Sequence, residues 1–132
     1  MKTKLIASIL FALPSICSAE YSDNYNTCIE KSNGSTPDIL NCIYIEQDNN
    51  NDIISSIIKR NDNLSTIVDS LAIFDKNSRD LLNEKCSIYK LIYRDGQASR
   101  LLEEQCHLDG IIEIKRYVND VIDMANFELG TD

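Results

Sequence analysis

Five cysteines, one histidine and an excess of acids are the side chains of this 132-residue chain that could do chemistry. Cys17 falls inside what reads as an amino-terminal export signal, which leaves Cys28, Cys42, Cys86 and Cys106. These four stand apart from one another. None forms a CxxC pair for redox exchange, and structural zinc prefers cysteines in close pairs. An even number of cysteines on a small exported chain instead reads as a disulfide framework. Four cysteines allow three pairings, and the spacing favours the two local ones. A 13-residue loop with Gly34 and Pro37 lies between Cys28 and Cys42, and the turn Asp95-Gly96 lies between Cys86 and Cys106.

The remaining polar residues make a poor catalytic set. His107 is the sole histidine, and neither Cys106 beside it nor Asp109 makes a dyad with it. Glu103-Glu104 are adjacent and diverge around a helix, whereas glycoside hydrolysis needs two carboxylates facing one cleft. Asp48 and Asp52 bracket Asn49, Asn50 and Asn51, but the run lacks the central glycine and terminal glutamate of a calcium loop. The reading is of a protein that is not an enzyme and carries no metal and no cofactor. Two groups suit contact with a partner instead. One is the pair Asp48 and Asp52. The other is the turn Tyr93, Arg94, Asp95 and Gly96, where Gly96 can supply a positive φ.

Helices must position these residues. Thr36-Pro37-Asp38 is a helix start, with Thr36 as cap, Pro37 at the first position and Asp38 in the first turn. Leu40, Ile43, Ile54, Ile57, Ile58, Leu64, Ile67 and Leu71 recur at helical rather than alternating intervals. They predict a helix over 37–60 that continues to about 73, bent near Asn61-Asp62-Asn63. Asp75–Ser78 reads as a turn. A further helix follows to about Arg94, with Leu81, Leu82, Ile88, Tyr89, Ile92 and Tyr93 on its apolar face. A last helix is expected over 99–127, weakened at Gly110. Tyr44, Phe74, Tyr89, Tyr93, Tyr117 and Phe127 are the aromatics expected to fill the core. The fold class is all-α, a small antiparallel helical bundle or helical hairpin with two disulfides.

The amino terminus reads as an export signal. Lys2 and Lys4 precede the apolar run Leu5–Leu13, and Cys17-Ser18-Ala19 supplies small residues before a cut at Glu20. That gives 1–19 as signal peptide and 20–132 as one helical domain in the periplasm or outside the cell. The apolar run is too short for a bilayer span, and no later segment reaches that length, so no stable membrane insertion is expected after signal removal. The full chain carries 13 basic and 21 acidic residues. Cleavage removes two lysines and no acid, leaving 11 basic residues against 21 acidic ones, a formal charge of −10. Such a surface repels nucleic acid and anionic lipid and attracts a basic protein.

The cysteine frame resembles the LprI-like lysozyme-inhibitor family, from about Tyr25 to Val121. Cys28 and Cys42 match its first two cysteines. Cys86, Tyr93, Asp95-Gly96 and Cys106 match its cysteine, Tyr-x-Gly-Gly-like turn and following cysteine, and Arg116 stands for a later basic residue. The resemblance implies an exported helical binding protein that inhibits lysozyme or another cell-wall hydrolase. The acidic charge suits a basic lysozyme, hydrolase or toxin as partner. A periplasmic immunity protein against a secreted toxin is the alternative expectation. A structural or envelope-stress protein without inhibitory activity is another.

Overall fold

Ser22 opens the first helix because its hydroxyl can replace a missing intrahelical partner. In the structure, a computed structural model that describes residues 20–94 and 96–130, it accepts from the Tyr25 amide at 3.1 Å. The expected signal segment 1–19 lies outside the described residues. Helix α1 spans Asp23–Lys31 and closes through a turn in which Asn33 and Gly34 take positive φ. Helix α2 spans Thr36–Arg60, with Pro37 in its first turn. Its cap is Ser35 rather than the expected Thr36, and the Ser35 side chain makes no capping bond.

The expected continuation to residue 73 is not formed. A short 3₁₀ turn at Asp62–Leu64 separates α2 from helix α3, Ser65–Tyr93. Asn61 Nδ2 donates to the Ile57 carbonyl at 2.7 Å, drawing off an acceptor at the end of α2. The chain reverses there. Arg79 Nη1 donates to Asn51 Oδ1 at 2.7 Å, although 28 residues of continuous helix would hold those residues about 42 Å apart. The expected turn at 75–78 is absent too. Arg79 Nε meets Asp75 Oδ1 at 2.9 Å one helical turn away, so this polar segment is bridged within the helix instead of breaking it.

Helix α4, Gln97–Leu129, is the spine. Both α2 and α3 pack along it and touch each other little, while α1 lies on α2. Tyr44 lies against Arg100 and Gln47 against Glu104, so α2 runs parallel to α4. Lys90 pairs with Glu103 across the α3–α4 turn, so α3 runs antiparallel to both. Gly110 leaves α4 unbroken and serves packing. A Cβ there would lie 2.6 Å from Leu82 Cδ2 and 3.0 Å from its Cγ. The described residues thus form four α-helices with no strand, tied by Cys28–Cys42 and Cys86–Cys106, each with Cα atoms 5.7 Å apart. No helix among them is long and apolar enough to cross a membrane.

Aliphatic side chains fill the interior. One cluster joins Ile54, Ile57, Leu71, Leu82, Ile114 and Val118, and a second gathers Cys42, Ile43, Leu108 and Ile112 around Tyr25. The aromatics expected in the core divide: Phe74 packs half-buried against the first cluster, and Tyr44 and Tyr89 are half-buried. Tyr93, Tyr117 and Phe127 are exposed, and Tyr25 is the buried one. The α3 face is corrected in the same way. Leu71, Leu82 and Cys86 turn inward, while Leu81, Ile88 and Ile92 turn to solvent.

Candidate functional site

Three surfaces carry the side chains able to recognise another molecule. The first is built where residues 20–25 cross α2 and α4. Glu46 is buried, 3 % exposed, and accepts the Ser22 amide at 2.9 Å on Oε1 and the Ser22 hydroxyl at 2.6 Å on Oε2. Tyr21 donates its hydroxyl to Asp109 Oδ1 at 2.6 Å. Gln105 Nε2 donates to the same carboxylate oxygen at 3.0 Å, and Tyr25 donates to Gln105 Oε1 at 2.9 Å. Burial, then the bond to Asp109, holds the Tyr21 phenol above its ordinary range. Burial raises Tyr25 as well, against the opposing effect of its bond to Gln105. Beside this network lies an open cavity of about 750 Å³ bordered by Glu20, Asp23, Glu46, Asn50, Asp52 and Lys115.

The second surface is the α3–α4 turn. Tyr93, Arg94 and Gly96 are all exposed there, and Asp95 lies outside the described residues. The positive φ, 51°, falls on Arg94, whereas Gly96 has φ −79° and is the cap of α4. The expectation that Gly96 supplies the left-handed residue is therefore corrected. Helix α3 ends at Tyr93, so its left-handed cap position falls on the next residue, Arg94. Gly96 borders a concavity of about 230 Å³ with Lys90, Ser99, Arg100 and Glu103.

The third surface is apolar. Leu81, Ile88 and Ile92 recur on one outward face of α3, with Leu81 67 % exposed. Beside them a groove of about 320 Å³ runs between α3 and α4, bordered by Phe74, Ser78, Leu81, Lys85, Glu113 and Tyr117. The rings of Phe74 and Tyr117, which both border it, meet at a tilt of 41° with 4.4 Å between centroids.

Asp48 and Asp52 are exposed one turn apart on α2. Asp52 borders the acidic cavity with Glu46. These acids and the Tyr93–Gly96 turn sit on different elements and border no common cavity. From the sequence, Asn50 reads only as part of a polar run and Asp109 only as a neighbour of His107, while Tyr21 and Glu46 carry no signal. Their partners lie up to 88 residues away, and only the Glu46–Asn50 spacing of one helical turn hints that two of them share a face. His107 lies in a separate groove with Gln47, Arg79 and Glu104. Among the described residues, no group of three or more histidines, cysteines or acids is placed to hold a metal ion.

Comparison with known proteins overturns the resemblance to the LprI-like lysozyme-inhibitor family. The family model that matches is Antitoxin TsiV3, over residues 33–126. The resemblance rested on four cysteines in a helical frame, a constraint on small exported domains rather than on a binding surface. No curated protein and no solved structure matches the chain. The match spans α2, the 3₁₀ turn and α3, and reaches nearly the end of α4, which is most of the described fold. The chain belongs to the Antitoxin TsiV3 family, and its described residues form a small, disulfide-bonded, all-α domain.

Proposed function

We propose that this protein is an exported antitoxin that neutralises a toxic partner protein by binding it. The family match across 33–126 is the observation that carries the reading. The outward face of α3 supports it, because Leu81, Ile88 and Ile92 present apolar area that a monomer has no reason to align. Tyr93 and Arg94 are exposed where α3 ends, just beyond Ile92, and Asp48 and Asp52 add charge on α2. With a formal charge of −10 after loss of 1–19, the protein suits a basic toxin surface and speeds encounter with it.

Export belongs to the same reading. Lys2, Lys4, Leu5–Leu13 and Cys17-Ser18-Ala19 make a signal that is cut before Glu20. Two disulfides suit an oxidising compartment such as the periplasm. The test is co-purification with the product of the toxin gene adjoining its own. A complex is expected with the native protein and is weakened at least tenfold by Ile88→Asp. A toxin that kills cells yet never associates with the native protein contradicts the reading.

A further inference from the structure

The cavity at the amino-terminal arm has an imbalance that none of its own residues corrects. Four carboxylates border it: Glu20 and Asp23 on the arm and α1, and Glu46 and Asp52 on α2. One cation, Lys115 of α4, faces them. Asn50 also borders the cavity, is 2 % exposed, and donates Nδ2 to the Glu46 carbonyl at 2.7 Å. Its Oδ1 is buried with no partner. A buried acceptor left unmatched calls for a donor, and the carboxylates that border the same cavity favour one that carries positive charge.

The chain itself can supply that donor. Tyr21 is pinned to Asp109 at 2.6 Å, and Ser22 is pinned to Glu46 through both its amide and its hydroxyl. Covalent geometry then keeps the backbone nitrogen of Glu20 within about 5 Å of the Tyr21 α-carbon. While Ala19 is attached, that nitrogen is an uncharged amide. Hydrolysis of the Ala19–Glu20 bond turns it into a primary ammonium with three donors.

We infer that the acidic cavity is a seat for a primary ammonium group, filled in the processed protein by the α-amino group of Glu20. The inference rests on the reading that 1–19 are removed at Ala19, and it holds whatever toxin the protein binds. Processing would then complete the arm, because the precursor has no charge to place there. An ammonium among carboxylates is stabilised in its charged form. Its contribution to stability is therefore full below the ordinary α-amino value of about 8 and is lost as pH rises through the higher value of the folded protein.

Two measurements test this without any toxin. Amino-terminal sequencing of the protein recovered from the periplasm should read Glu20 first, and any other first residue removes the natural occupant. Separately, the 20–132 chain is released from a cleavable tag with a free amine and compared with its Nα-acetylated form. Acetylation should lower the melting temperature by about 2–5 °C at pH 6.5, and the gap should close by about pH 10. Asp52→Asn should shrink the gap at pH 6.5 by at least half, since a local pair couples and a general charge effect does not. Equal melting of the free and acetylated chains would overturn the seat. So would a gap that Asp52→Asn leaves unchanged.

Discussion

Tyr21 holds the amino-terminal arm through one hydroxyl, and the strength of that bond can be read by titration. Its donor faces a carboxylate at 2.6 Å, and such a charge-assisted bond contributes about 1–2 kcal/mol. Tyr21→Phe is expected to lower stability by that amount in urea unfolding at pH 8. Because burial and Asp109 raise the folded phenol, the unfolded chain ionises first as pH passes about 10. The contribution is present below that pH and fades above it, so the deficit of Tyr21→Phe should shrink at pH 11. Gly110 predicts a loss of a different kind. Gly110→Ala gains helix propensity, but the new Cβ meets Leu82, so a net loss of about 1–2 kcal/mol is expected. Leu82→Ala in the same chain should recover part of it, as a double-mutant cycle in urea would show. Little of this was legible in the sequence. Gly110 reads there as a weak point in a helix, and only the approach of Leu82 shows it to be a contact. Asp109 reads as a neighbour of His107, yet its partner is 88 residues away.

Helices and bridges are the elements that hold the surfaces in place. Apolar periodicity identifies them well, because an aliphatic stripe at 3.6-residue spacing has one way to be buried. It does not identify direction. Asn61-Asp62-Asn63 reads as a bend, but the flank of α4 that α3 must cover makes it a reversal. It also misjudges α3, which carries apolar residues on two faces, so that Leu81, Ile88 and Ile92 look like core. At the end of α3, Arg94 takes a left-handed conformation that costs a non-glycine residue about 1 kcal/mol. Arg94→Gly should therefore raise stability by about 0.5–1 kcal/mol while weakening toxin binding, a split that melting and affinity measurements would reveal together. Cys86 is fully buried and joins α3 to α4 across 20 residues of sequence. Replacing Cys86 and Cys106 together with serine should cost about 3 kcal/mol in urea unfolding.

For the whole molecule, charge and exposed apolar area act on different parts of binding. The net charge of −8 acts at a distance and governs encounter, and the proposed removal of 1–19 would make it −10. Association with a basic toxin should slow about tenfold or more between low salt and about 0.5 M salt. Under the proposed function, the outward face of α3 would act at contact, so Ile88→Asp is expected to raise the dissociation rate. Acidity and a disulfide-tied helical domain are readable from the sequence, since each follows from composition and spacing. The family was not, because the four cysteines report on the scaffold and the partner is chosen by surface residues that share no motif. The most direct measurement is survival of cells that send the adjoining toxin to their periplasm while producing this protein with or without residues 1–19. The account predicts survival with the exported form and death without it. Death at equal rates, with both proteins present in the periplasm, would contradict it.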